Sequence, residues 1–67
     1  MQVTINNNKY EIQEGTTLNN VLTIIGIQSD AGIALAVNSS VVTRTDWENY
    51  RLSNNDAILV IRAIQGG

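Results

Sequence analysis

Apolar residues occupy every second position in two short segments at the beginning of the chain: Met1, Val3 and Ile5, then Tyr10 and Ile12. Successive side chains of a strand point to opposite faces, so each segment predicts a strand with one apolar face. The asparagines at 6–8 suit a turn between them, because Asn tolerates positive φ. We therefore expect an antiparallel hairpin formed by residues 1–6 and 9–13.

The next apolar residues recur with the period of a helix, at positions i, i+3, i+4 and i+7: Leu18, Val21, Leu22 and Ile25. Thr16 or Thr17 can cap the beginning of this helix through its hydroxyl group. Gly26 can end it, since a left-handed residue just past the end costs Gly least, and Ile27 would then contact Leu22. The pattern predicts a helix over residues 17–25.

The second half of the chain predicts two or three more strands. The apolar run 33–37 is short enough to favour a buried strand, residues 38–40 form a turn, and residues 41–42 form a brief second strand. The polar segment 44–50 carries two aromatic residues. We expect Thr45 to cap one helical or 3₁₀ turn there and Trp47 to fill one end of the core. A turn at 54–56 leads to the last strand, residues 57–64.

This order of elements predicts an α+β fold, with one mixed sheet of four to five strands packed on one main helix. The last strand is the most apolar, so we expect it to be central and to pair with the first strand. That arrangement is a β-grasp. A chain of 67 residues allows one domain. We assign residues 1–64 to it and residues 65–67 to a flexible tail, since nothing in the sequence ties the tail down.

Composition excludes most catalytic chemistry. The chain has no Cys and no His, which excludes thiol nucleophiles, imidazole acid–base catalysis and Cys or His metal sites. The six acidic residues are spread over turns and exposed positions, so we interpret them as solubilising charges and caps and expect no metal site. A domain this small scarcely encloses a ligand pocket of several hundred Å³. We therefore do not expect an enzyme.

Charge and hydropathy argue against two classes of partner, nucleic acids and membranes. The net charge is −2, and the four basic residues are scattered (Lys9, Arg44, Arg51 and Arg62). Nucleic-acid binding needs a concentrated basic surface, so it is not expected. The longest apolar runs are far below the roughly 20 residues of a membrane helix. No basic and apolar leader follows Met1, so we expect a cytoplasmic protein without a membrane partner.

Two glycines, Gly66 and Gly67, follow the apolar last strand almost directly. Gly lacks a Cβ, so its backbone can approach another protein closely and leaves a terminal carboxylate unhindered. Four residues counted from Ala63 reach roughly 13 Å, enough to enter another enzyme's active site. A carboxylate must be activated before it accepts a nucleophile, for instance as an acyl adenylate made with ATP. The chain lacks groups for that step, so it would be a carrier acted upon. The alternative is a chance ending without function.

The sequence resembles the ThiS family, the ubiquitin-like sulfur carriers of thiamine biosynthesis, over essentially its full length. The matching features follow one another in order: the N-terminal hairpin, Gly15-x-Thr17-Leu18 with Leu22 in the helix, Ala34-Leu35-Ala36-Val37-Asn38, Arg44 with Trp47, Asp56-x-Ile58, and Gly66-Gly67. Their order and the diglycine together carry the resemblance.

The resemblance implies a reaction sequence performed by other proteins. A ThiF-type adenylyltransferase would use ATP and magnesium to adenylate the carboxylate of Gly67. A sulfur donor, such as a cysteine desulfurase, would convert it to a thiocarboxylate, and a ThiG-type thiazole synthase would take the sulfur. Gly67 would bear the sulfur, Gly66 would thread the channel, and Gln65 and Ile64 would line its mouth. No bound cofactor is implied.

The last strand also offers a docking surface. If Ile58 and Val60 face the helix, Leu59 and Ile61 remain on the other face, where an apolar patch indicates a partner. The opposite parity is the alternative, as is coverage of Leu59 and Ile61 by neighbouring loops. Arg62 either flanks this patch or is a solvated strand charge.

Three other functions stay open. The small subunit of molybdopterin synthase also resembles a β-grasp ending in diglycine, although it is usually longer. A ubiquitin-like modifier would be conjugated to lysines through the same carboxylate. A plain binding module would carry the tail incidentally.

Overall fold

The structure, a computed structural model, describes residues 1–62. Its elements are β1 (Gln2–Ile5), β2 (Asn8–Glu11), α1 (Leu18–Ile24), β3 (Ile33–Val37), β4 (Ser40–Val42), a 3₁₀ turn (Arg44–Asp46) and β5 (Ala57–Arg62). This is the predicted order, with five strands. The predicted continuation of the last strand to Ile64 and the boundary of the tail at residues 65–67 lie outside the described residues.

The five strands form one sheet in the order β2-β1-β5-β3-β4. β5 runs parallel to β1 and antiparallel to β3, so the sheet is mixed. The outer pairs, β1 with β2 and β3 with β4, are antiparallel hairpins. The α+β prediction is confirmed, including the central position of the last strand and its pairing with the first.

Both hairpins turn on two consecutive residues with positive φ. These are Asn6 (φ 50°) and Asn7 (φ 70°) in the first hairpin, and Asn38 (φ 50°) and Ser39 (φ 74°) in the second. Two-residue turns of this kind match the right-handed twist of the flanking strands, and Asn adopts positive φ more readily than most residues. The sequence therefore fixes where each hairpin reverses, and with it which strand residues pair.

The ends of α1 are set by the residues that the sequence suggested. Thr17 is the N-cap, and the Asn20 side-chain oxygen accepts hydrogen bonds from the Thr17 N–H (3.1 Å) and hydroxyl (3.0 Å). At the other end Gly26 has φ 79°. The Ile27 N–H donates to the Leu22 carbonyl at 2.8 Å, and the Gly26 N–H donates to the Thr23 carbonyl at 3.1 Å. This pair of bonds is the Schellman ending that a left-handed glycine permits.

The core lies between α1 and one face of the sheet. Ile5, Leu18, Val21 and Leu35 are its largest fully buried side chains, together with Val3. Trp47 is also buried, and its indole N–H donates to the Val42 carbonyl at 2.9 Å. The predicted core role of Trp47 is confirmed, since the ring is packed and its one polar atom is paired.

The predicted cap of the 3₁₀ turn is wrong by two residues. Thr43, not Thr45, is the N-cap, with extended backbone at φ −65° and ψ 148°. Its hydroxyl donates to the Asp46 carboxylate at 3.0 Å. Thr45 lies inside the turn, where it cannot take the non-helical conformation that an N-cap requires.

The interpretation of all six acidic residues as solubilising charges and caps is wrong for Asp56, which lies in a turn as expected but is buried. One of its oxygens accepts a hydrogen bond from the Asn38 side chain at 3.0 Å, and the other accepts one from the Ser53 N–H at 2.7 Å. Asn38 in turn accepts from the Ala57 N–H at 3.0 Å. Since its oxygens are satisfied, Asp56 ties the turn before β5 to the turn between β3 and β4.

Candidate functional site

The described part of the chain offers no cluster of metal-ligating side chains. Within residues 1–62, no three acidic side chains come close enough to hold a metal ion. Asp30 forms an ion pair with Arg44 at 2.7 Å on the surface, and the Arg44 guanidinium lies 5.7 Å from the centre of the Trp47 ring. These contacts hold the loop before β3 against the 3₁₀ turn. Their role is structural.

A shallow depression of about 420 Å³ lies between the loop after α1 and the end of β5. Its lining is Gly26, Ile27, Gln28, Ser29, Ala31 and Arg62. Among the described residues of that lining, Arg62 is the one charged side chain, and the lining places no base beside Ser29. The depression therefore holds no catalytic pair.

No helix within residues 1–62 has the length and apolar content that a membrane crossing requires.

An apolar patch lies on the sheet face that α1 leaves uncovered. Leu59 is 49% exposed and Ile61 is 42% exposed, while Ile58, the residue before Leu59, is only 3% exposed. Ile58 and Val60 therefore face the helix, and the parity assumed for Leu59 and Ile61 is the one observed. Surface apolar residues scattered singly are ordinary, but neighbouring ones on one open face indicate a contact surface.

Strand pairing extends this patch across the sheet. Leu59 pairs with Ala36, and Ala36 pairs with Val41 of the edge strand, so these three residues form one row. Ile61 pairs with Ala34 in the next row. Val41 is 70% exposed. We call the surface made by Ala34, Val41, Leu59 and Ile61, with Ala36 buried between them at 5% exposure, the open-face patch.

Val41 was not identified from the sequence as a candidate contact residue. Its signal is the alternation of β4, in which Val42 is half-buried on the core side and Val41 points the other way. The alternation identifies Val41 as a contact residue only when β4 is known to pair with β3, because this pairing puts Val41 in the same row as Leu59. The local pattern alone does not reveal it.

The open-face patch has a polar border. Beside Leu59, a groove of about 210 Å³ is lined in part by Thr4 and by residues of both hairpin turns, Asn6, Asn7 and Ser39. Lys9 pairs with Thr4 on the neighbouring strands, which places a charge farther along the same face. An apolar centre with a polar rim is the usual composition of a protein–protein interface.

The sequence-predicted site residues fall into three groups: those in the open-face patch, Arg62 on the other face of the sheet, and those outside the described residues. Leu59 and Ile61 lie together in the open-face patch. Arg62 pairs with Ile33 and lines the depression beside Gly26, so its side chain lies on the helix side of the sheet and does not flank the patch. Ile64, Gln65, Gly66 and Gly67 lie outside the described residues. β5 is the strand that leads to them.

Comparisons with known proteins agree with this fold. The model of the ThiS family matches residues 3–67. The sulfur carrier protein ThiS of Escherichia coli (strain K12) is 33% identical over 67 residues, which cover 100% of both chains. A crystal structure of the thiamine biosynthesis protein ThiS from Geobacter metallireducens superposes with a TM-score of 0.83 over 100% of both chains, at 17% identity. A solution structure of a thiamine biosynthesis protein from the same organism gives a TM-score of 0.77 at 17% identity, over 100% of this chain and 88% of the other.

Proposed function

The chain belongs to the ThiS family of β-grasp proteins, and from that premise we propose that it serves as a sulfur carrier protein of thiamine biosynthesis through the carboxylate of Gly67. One observation carries the proposal. The family match runs from residue 3 through Gly67 and so includes the diglycine. The composition is consistent with a carrier, since residues 1–62 hold no cluster of three acidic side chains and the chain has neither Cys nor His.

The chemistry that forms the thiocarboxylate of Gly67 proceeds in three steps on partner enzymes. The carboxylate attacks the α-phosphorus of ATP on a ThiF-type adenylyltransferase that also binds magnesium, and pyrophosphate leaves. A persulfide sulfur derived from cysteine then attacks the acyl carbon, and AMP leaves. A thiol reduces the resulting acyl disulfide and releases the thiocarboxylate. A ThiG-type thiazole synthase takes that sulfur. All reactive groups except the carboxylate come from the partners.

The body contributes recognition. The open-face patch lies on β5, the strand that continues toward Gly67, so an enzyme that receives the diglycine also meets Leu59 and Ile61. Apolar contact at the body raises the local concentration of the carboxylate at the active site, which is the advantage of two linked contacts over one. We assign the open-face patch to the adenylyltransferase, and Gly66, Gln65 and Ile64 to its channel.

The test is a loading reaction followed by intact-mass analysis. The full chain is incubated with the ThiF-type enzyme encoded in the same genome, ATP, magnesium, cysteine and a cysteine desulfurase. The expected product has one oxygen replaced by sulfur at Gly67. The matched control lacks Gly67 and should retain its fold and remain unloaded. Loading of the truncated chain refutes the mechanism, and branched peptides on lysines in cell extracts would identify a modifier instead.

A further inference from the structure

The central strand β5 extends beyond the end of its neighbour β1. The ladder between β1 and β5 ends at the pair Ile5–Ile58, with the Asn6 N–H donating to the Ile58 carbonyl at 2.9 Å. The chain then reverses at Asn6 and Asn7. β5 continues to Arg62. Within residues 1–62, the last residues of β5 therefore have β3 on one side and no strand on the side of β1.

Backbone direction identifies the groups on that open side. Successive residues of a strand point their N–H and C=O to alternate neighbours. Ile58 points toward β1, since its carbonyl accepts from Asn6, and Ala57 points toward β3, since its carbonyl accepts from the Asn38 N–H. Val60 and Arg62 therefore point to the open side, while Leu59 and Ile61 point to β3.

Asn6 occupies the first position of this open edge. Its side-chain oxygen accepts a hydrogen bond from the Val60 N–H at 2.8 Å, in the place where a longer β1 would have supplied a carbonyl. The next groups along the edge are the Val60 carbonyl and the Arg62 N–H. The hydrogen bonds found among residues 1–62 use neither of them. A backbone pair of this kind is a template for another strand.

We infer that Val60 and Arg62 form a strand-addition site for an extended segment of the enzyme that adenylates Gly67. The inference rests on the proposed function, because continuity of β5 with the residues that lead to Gly67 is what identifies the occupant. A strand added here lies beside the chain just before it reaches the active site. Main-chain hydrogen bonds between the enzyme and β5 would then align the carboxylate of Gly67, whatever side chains lie between Arg62 and Gly67.

The edge is also guarded against unwanted pairing. Within residues 1–62 it offers two groups, Asn6 fills the position before them, and Arg62 places a charge beside them. Short edges, neighbouring turns and charged side chains are the usual means by which proteins prevent edge-to-edge aggregation. Such an edge accepts a strand only when other contacts hold the partner in place, as the open-face patch would.

Amide hydrogen exchange of the full chain tests the inference directly. It is measured on the free chain and on its complex with the ThiF-type enzyme, ATP and magnesium, without a sulfur donor so that the adenylate persists. The Arg62 amide should exchange fast in the free chain and slow by at least about 100-fold in the complex. The Ile61 amide, which points to β3, should be protected in both states.

A pair of substitutions provides a second measurement. Arg62→Pro removes the N–H of the open edge, whereas Arg62→Ala keeps it and removes only the side chain. The proline variant should load with a KM about tenfold higher than the alanine variant, the loss expected from one unmade hydrogen bond. Melting temperatures of the two variants report any difference in folding.

The outcomes separate the inference from the proposed function. If the complex forms the adenylate while the Arg62 amide exchanges as fast as in the free chain, the strand-addition site is refuted and the carrier function stands. Equal KM values for the two variants lead to the same conclusion. If the enzyme never adenylates Gly67, both the inference and the proposed function fail.

Discussion

Replacing Leu59 by Asp separates recognition from stability. Leu59 is 49% exposed in the free protein, so binding removes the remaining half of its surface from water. Full burial of a Leu side chain stabilises by about 1.5–3 kcal/mol, and half of that is about 1 kcal/mol. An Asp in the same interface also loses hydration, which costs at least about 1 kcal/mol more. Affinity for the adenylyltransferase should therefore fall by at least about 30-fold.

The cost to folding should be smaller. On a half-exposed strand position, the change from Leu to Asp costs about 1 kcal/mol in strand preference and packing, which lowers Tm by about 4–8 °C in a domain of this size. Leu35→Ala is the contrasting variant, because Leu35 is fully buried in the neighbouring strand. It should cost about 2–5 kcal/mol of stability and leave the affinity of the folded fraction unchanged.

Two assays carry the comparison. Calorimetric titration of each variant with the adenylyltransferase gives affinity, and thermal unfolding followed by circular dichroism gives Tm. Val41→Asp, at the other end of the same row, should weaken binding in the same direction with almost no loss of Tm, because Val41 is 70% exposed on an edge strand. If Leu59→Asp lowers Tm strongly and leaves affinity unchanged, Leu59 is a core residue and the open-face patch is not the docking surface.

Three further substitutions test the fold through thermal unfolding. Asp56→Ala leaves the Asn38 side chain and the Ser53 N–H without their acceptor and should cost about 2 kcal/mol; an unchanged Tm would show that water replaces the carboxylate. Leu22→Ala should cost about 2–5 kcal/mol, a large part of the stability of so small a domain, and an unaffected midpoint would contradict the packing of α1. Gly26→Ala should cost about 1 kcal/mol of stability through left-handed backbone strain. Strain is the whole expected cost, because an added Cβ meets nothing within 4 Å; higher stability would contradict the Schellman ending.

The sequence predicted the elements whose signals are local. Alternation identified the first hairpin, the 3.6-residue period identified α1, and Gly26 marked its end because few other residues take φ 79° without strain. The central place of the last strand followed from its apolar character on both faces. Each of these features depends on residues a few positions apart, which is the range over which sequence patterns carry information.

The features that the sequence did not reveal depend on residues far apart in the chain. Asp56 is buried because Asn38, on a different turn, donates to it, and nothing near Asp56 signals that partner. Val41 joins the open-face patch through pairing with Ala36. The cap at Thr43 rather than Thr45 is the exception, because its partner Asp46 is only three residues away and the sequence offered either threonine. The proposed roles of the residues after Arg62 stay predictions.

Under the proposed function, β5 explains how the partner enzymes recognise this chain specifically. Its even positions Ile58 and Val60 face the core, and its odd positions Leu59 and Ile61 form the open-face patch. Since the side-chain period of a strand is two residues, stability and recognition occupy alternate positions of one segment and do not compete for the same side chains. The backbone adds a third role, because β3 pairs with β5 from Ile58 to Arg62 while β1 pairs with it only as far as Ile58. Core, open-face patch and open edge therefore lie on one strand, and under the proposed function an enzyme that binds this strand is brought to the segment that carries Gly67.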